Sequence, residues 1–302
     1  MNVKPEVKAI LKDVEAIVFD IDGVLIDVNA SFRKTIAATL QFYFQEILKY
    51  SGDEELVKQE EITLFKDAGG FNNDWELTES LALFYLAKAV RLDSKELAVI
   101  RYQEPFLDGF VVAGVGNFEK AVLDLLDDDE KKAVLGLWNK GLVRQIFQEM
   151  YAGGKYCRKF YGFEPVYFRS KGTINREVAL LDPDLISKPA AVITGRAFEE
   201  AEAAIDFVSL DVPEELVVCD DGRFKRKPDP EALAYISDKM KTKLGLYIGD
   251  VWDDYQMVAN FNGLGNGKRF LSAIITDSGE RFKEADIIAA DVNEILRTVT
   301  NG

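Results

Sequence analysis

Two kinds of hydrophobic pattern divide the chain. Ala16-Ile17-Val18-Phe19 is a short unbroken apolar run, with the length and branching of a strand buried on both faces. From residue 29 the spacing becomes helical. Phe32, Ile36, Ala37, Leu40, Phe44, Ile47 and Leu48 fall on one side of a helix over 29–50, which Ser51-Gly52 ends. Further helical patterns cover 54–66, 76–90, 118–126 and 129–150, with glycine-containing breaks at 68–74 and 109–116. From Pro189 the chain returns to short β-branched runs at 190–194, 216–219, 244–248, 271–276 and 287–288, with helical stretches at 198–207, 229–241 and 255–261 between some of them.

Strands alternating with helices predict parallel pairing through right-handed crossovers. The run at 16–19 adds a strand from the far side of the helical block. The expected fold is therefore α/β: a parallel sheet flanked by helices, built from residues 1–28 and 188–302, with a large α-helical domain, 29–187, inserted after the first strand.

The 302 residues carry a formal net charge of −15, which disfavours non-specific attraction to nucleic acid or anionic lipid. The first residues lack a signal-like apolar core, and no apolar run has the length of a membrane helix, so a cytoplasmic protein with no membrane partner is expected. Cys157 and Cys219 show no ligand-like spacing and read as idle thiols. The sequence has no histidine, which excludes Ser-His and Cys-His triads and imidazole metal sites. Proton transfer must fall to carboxylates, lysines, tyrosines or cysteines.

The chemistry gathers where the predicted strands end. The first strand runs into Asp20-Ile21-Asp22-Gly23, and carboxylates at a buried strand end need a partner or a metal. The next runs into Thr194-Gly195-Arg196, which reads either as a phosphate cradle or as a helix cap at Thr194. Arg226-Lys227-Pro228 opens a helix, where a lysine is either functional or solvated. Strand 244–248 runs into Gly249-Asp250-Val251-Trp252-Asp253-Asp254, whose last two acids also suit a helix N-terminus.

In this order, Asp20-x-Asp22-Gly23-Val24, Thr194-Gly195-Arg196, Lys227-Pro228 and Gly249-Asp250-x-x-x-Asp254 resemble the four motifs of the haloacid dehalogenase superfamily. The helical block then resembles the C1 cap of subfamily I, although it is longer than usual for that class, and Arg226 stands where glycine often precedes the lysine. The resemblance implies a Rossmannoid core and a Mg2+-dependent phosphatase of a small phosphorylated metabolite. Asp20 is the implied nucleophile and Asp22 the implied acid and base. Asp20, Asp22 (through its carbonyl) and Asp250 are the implied metal ligands, with Asp253 and Asp254 behind them. Gly23, Thr194, Gly195, Arg196 and Lys227 are the implied phosphate-binding residues. In the cap, Arg33, Asn73 and Asp74 are candidates for substrate contact; Asp74 also reads as a helix cap. Two alternatives stay open, a β-phosphoglucomutase-like phosphomutase and a non-catalytic phosphate-binding protein. Asp22 favours ester chemistry, because the family's dehalogenases lack an acid at that position.

Overall fold

A computed structural model describes residues 1–58, 61, 62, 65, 73–106, 118–276 and 279–301. The chain forms two compact units, Met1–Val28 with Glu177–Gly302, and Asn29–Arg176.

The first unit is α/β. Its strands are β1 (Asn2–Val3), β2 (Ala16–Phe19), β3 (Ile26–Asp27), β4 (Val178–Ala179), β5 (Ala190–Ile193), β6 (Val217–Val218), β7 (Leu244–Gly249), β8 (Arg269–Ile275) and β9 (Ile287–Ala289). Seven form one sheet in the order β1-β9-β8-β7-β2-β5-β6. All neighbours in it are parallel except β1, which pairs antiparallel with β9. The alternation of strand side chains places Ile17, Phe19, Val192, Leu246 and Ile248 on one face, against Ala201, Ala204, Ile295 and Leu296 of helices Phe198–Phe207 and Val292–Asn301. Val18, Ala191, Ile193 and Tyr247 cover the other face, against Leu233 and Ile236 of Glu231–Met240 and Met257 and Phe261 of Trp252–Asn262. Burial on both faces is why these strands read as unbroken apolar runs.

Three features of this unit depart from the sequence expectation. β1 was not anticipated, because two residues are too few to show a period. β3 and β4 form a separate antiparallel ribbon, Ile26 opposite Ala179 and Asp27 opposite Val178. That ribbon also moves the return to the α/β unit from residue 188 to Glu177, since the segment from 177 onward is bound to the chain's first crossing.

The second unit is helical among its described residues, with helices Phe32–Phe42, Asp74–Arg91, Leu97–Tyr102, Phe118–Asp124, Asp128–Leu137 and Lys140–Tyr161. Asp74–Arg91 is buried on nearly all sides, and two of its buried charges are paired, Glu79 with Arg144 at 2.7 Å and Lys88 with Glu104 at 3.4 Å. Asp127 and Glu130 form a reciprocal capping box, which accounts for the acidic run there. Of the helix expected over 54–66, residues 54–58 are not helical and 59, 60, 63, 64 and 66 lie outside the described residues. The breaks at 68–72 and 109–116 also lie outside them. Gly153 interrupts the last helix at φ 62°, and a Cβ there would collide with the backbone of Ser170 and Gly172. Both cysteines are buried and unpaired. Among the described residues, no helix is long and apolar enough to cross a membrane.

Candidate active site

Strand register assembles the site at one end of the sheet. Phe19 lies opposite Val192 of β5 and Ile248 of β7, so the residues after all three strands emerge side by side. Asp20 follows β2 directly, and its N–H donates to the Ile248 carbonyl at 2.9 Å. Thr194 follows β5 and donates its N–H to Val218 of β6, while Asp250 follows β7.

After Asp20 the chain turns tightly. The Ile21 carbonyl accepts from the N–H groups of Val24, Leu25 and Ile26, and Gly23 donates to Ile26 at 2.9 Å. Gly23 was expected at the phosphate, but its N–H is spent inside this turn. Its contribution is space: φ is +74°, and a Cβ would overlap the Asp250 carboxylate.

Lys227 is held just before helix Glu231–Met240, where the Asn260 amide donates to the neighbouring Pro228 carbonyl at 2.9 Å. Its ammonium lies 3.1 Å from Asp20 Oδ1 and 2.7 Å from Asp254 Oδ1. Asp254 is fully buried on the first turn of helix Trp252–Asn262. Its Oδ1 also accepts the Tyr247 hydroxyl at 2.7 Å, and its Oδ2 accepts the N–H groups of Asp250 at 3.1 Å and Val251 at 3.2 Å.

Carboxylate oxygens of Asp20, Asp250 and Asp254 lie within 4.8 Å of one another, a hard-oxygen set suited to Mg2+. A carboxylate offers about four acceptor directions. Asp254 fills them with Lys227, Tyr247 and two backbone donors, which leaves Asp20 and Asp250 as the carboxylates able to face an ion directly.

Burial pushes the Asp20 carboxyl up to about 7; Lys227 opposes that rise, and Asp254 and Asp22 add to it by repulsion. Burial also works against the charge of Lys227, but Asp20 and Asp254 outweigh it and hold the ammonium above the ordinary lysine range. The Tyr247 hydroxyl is raised well above the usual tyrosine value, first by burial and then by Asp254, and so stays a donor. Asp253, half-buried beside them, is raised by burial and by Asp254.

The Thr194 hydroxyl oxygen accepts the Arg196 N–H at 3.2 Å. The following helix starts at Phe198 with Ala197 at its N-cap, so Thr194 does not cap it. Gly195 lies between them, partly exposed. Arg196 stands among the implied phosphate-binding residues, but its guanidinium, 2% exposed, contacts Asp22 Oδ1 at 2.7 Å and Glu177 Oε1 at 3.0 Å. A buried cation between two carboxylates is satisfied by them, and this accounts for its orientation.

The remaining candidates belong to the helical unit. Arg33 is half-buried on helix Phe32–Phe42. Asn73, not Asp74, caps the next helix, accepting the Glu76 N–H at 2.9 Å, and Asp74 is its buried first residue. Sequence reading missed Tyr247 and Glu177. A phenol inside an otherwise apolar strand signals a hydrogen-bonded partner, whereas Glu177 carries no local signal.

The sequence model described as haloacid dehalogenase-like hydrolase matches residues 14–262. No curated protein matches the chain in sequence. Among solved structures, phosphatase Tt82 from Thermococcus thioreducens is 24% identical, with a TM-score of 0.64 over 95% of this chain and 99% of that one. A predicted phosphoglycolate phosphatase from Haemophilus somnus 129PT is 12% identical, with a TM-score of 0.50 over 94% and 97%. At these identities the likeness is one of fold.

Proposed function

The chain belongs to the haloacid dehalogenase-like hydrolases, and on that footing we propose that it is a Mg2+-dependent phosphatase of a small phosphorylated metabolite, working through an aspartyl-phosphate. The observation that carries this reading is the placement of Lys227 between Asp20 and Asp254 at the strand ends. A phosphate dianion repels an attacking carboxylate, so a nucleophilic aspartate needs fixed positive charge beside it.

Asp20, Asp250 and the main-chain carbonyl of Asp22 would hold Mg2+. When bound, the ion supplies positive charge that offsets the repulsion between Asp20 and the phosphate. Lys227, the Thr194 hydroxyl and the Gly195 N–H hold the phosphate oxygens. Asp20 attacks phosphorus in line, forming the new P–O bond as the ester P–O bond breaks, and Asp22 gives a proton to the departing alkoxide. Asp22 then takes a proton from water, whose oxygen attacks phosphorus and releases inorganic phosphate and Asp20. Asp254 fixes Lys227, and Asp253 lies behind the metal ligands. The unit Asn29–Arg176 is assigned substrate selection, with Arg33, Asn73 and Asp74 as candidates.

Phosphate release from a broad panel of phosphomonoesters, with Mg2+ or with a chelator, tests the reading. Turnover of at least one ester only with Mg2+, lost in Asp20→Asn, is expected. No release from any ester would overturn it.

A further inference from the structure

The strand-end motifs do not explain why a buried arginine and a buried glutamate stand beside Asp22. Arg196 is 2% exposed, Glu177 4% and Asp22 31%. The guanidinium reaches Asp22 twice, Nε at 2.9 Å and a terminal nitrogen at 2.7 Å, and both contacts fall on Oδ1. Neither uses Oδ2. The terminal nitrogen also contacts Glu177 Oε1 at 3.0 Å.

Two charged donors converging on one oxygen hold that oxygen in place, and a guanidinium with almost no solvent access keeps few alternative orientations. Asp22 needs such restraint because it sits in a tight turn, where rotation about its side-chain bonds would carry the carboxyl away from the ester oxygen. Glu177 directly precedes β4, which pairs with β3, the end of that same turn. Both partners of Arg196 are thus attached to the one ribbon.

We propose that Arg196 is a positioning residue for Asp22, holding Oδ1 so that Oδ2 is the oxygen left to face the ester, and that Glu177 holds Arg196 in place. This rests on the reading of Asp22 as the acid and base above. A proton donor matters most when the leaving group is basic, so the effect of misplacing it depends on the ester.

The test is kcat/KM with Mg2+ on p-nitrophenyl phosphate, whose phenolate leaves without a proton, and on phenyl phosphate, whose phenolate is more basic. Wild type, Asp22→Asn, Arg196→Gln and Glu177→Gln are compared, with thermal melts to confirm folding. Arg196→Gln is expected to lose about tenfold more on phenyl phosphate than on p-nitrophenyl phosphate. Asp22→Asn should be biased the same way, and Glu177→Gln should show a smaller bias of the same sign. Equal loss on both esters in folded Arg196→Gln and Glu177→Gln, beside a biased Asp22→Asn, overturns the positioning role alone. If Asp22→Asn is itself unbiased, the acid and base reading falls and the positioning role with it. If Arg196→Gln does not fold, Glu177→Gln decides by the same bias.

Discussion

Lys227 and Asp254 are joined at 2.7 Å in a site where the carboxylate is fully buried and also accepts the Tyr247 hydroxyl and two backbone N–H groups. Asp254→Ala would take this acceptor from all four donors, leaving Lys227 with Asp20 at 3.1 Å. Loss of one partner of a buried pair costs about 3–5 kcal/mol, and a large fall in melting temperature is expected. Tyr247→Phe removes one donor and leaves the ion pair, and should cost about 1 kcal/mol. Denaturant titrations of the two variants against wild type measure both; equal losses would contradict this account of Asp254.

Asp20 gives a pH-dependent prediction. Its carboxyl is raised from an ordinary 3.8 to about 7 in the folded protein, so the native state binds this proton more tightly than the unfolded chain. The sign follows: Asp20 lowers stability as pH rises from about 4 through 7. In chelator, Asp20→Asn should exceed wild type in stability at pH 8 by about 2–4 kcal/mol, with the gap closing toward pH 5. Denaturant midpoints at the two pH values decide; a gap that widens at low pH has the wrong sign.

Magnesium should act on stability as well as on turnover. At a concentration of 100 times its Kd, an ion bound only by the native state stabilises by about 2.7 kcal/mol. Wild type at pH 8 should gain melting temperature with added Mg2+, and Asp250→Asn should lose most of that gain. Calorimetry with and without the ion compares them, and an undiminished gain in Asp250→Asn would remove Asp250 from the ligand set.

Gly23 can be tested by a single methyl group. Gly23→Ala places a Cβ at φ +74° and against the Asp250 carboxylate. The backbone penalty is about 1–2 kcal/mol, and displacement of Asp250 adds a loss of Mg2+ affinity. Isothermal titration with Mg2+ should show weaker binding in this variant, while an unchanged Kd would show that the methyl is accommodated elsewhere.

The α/β class was legible in the sequence because strands buried on both faces leave unbroken apolar runs at 16–19, 190–193 and 244–248, interleaved with helical periods. The residues after those strands, Asp20, Thr194 and Asp250, were legible for the same reason: in a parallel sheet, consecutive strand ends share one edge. Glu177 and the ribbon of β3 and β4 left no comparable trace, since two-residue strands show no period.

The sequence by itself therefore determined the order of the elements and which acids and bases stand at the strand ends, since burial imposes a period that can be read locally. Tertiary structure decided the pairing. Asp22 and Arg196 are 174 residues apart, and their contact depends on β2 lying beside β5 and on the turn after Asp20. That Asp254 is filled by Lys227 and Tyr247, and that Gly23 gives room to Asp250, follow from the same register. A charged side chain does not encode its partner locally; the partner is whichever group the packed sheet brings within reach.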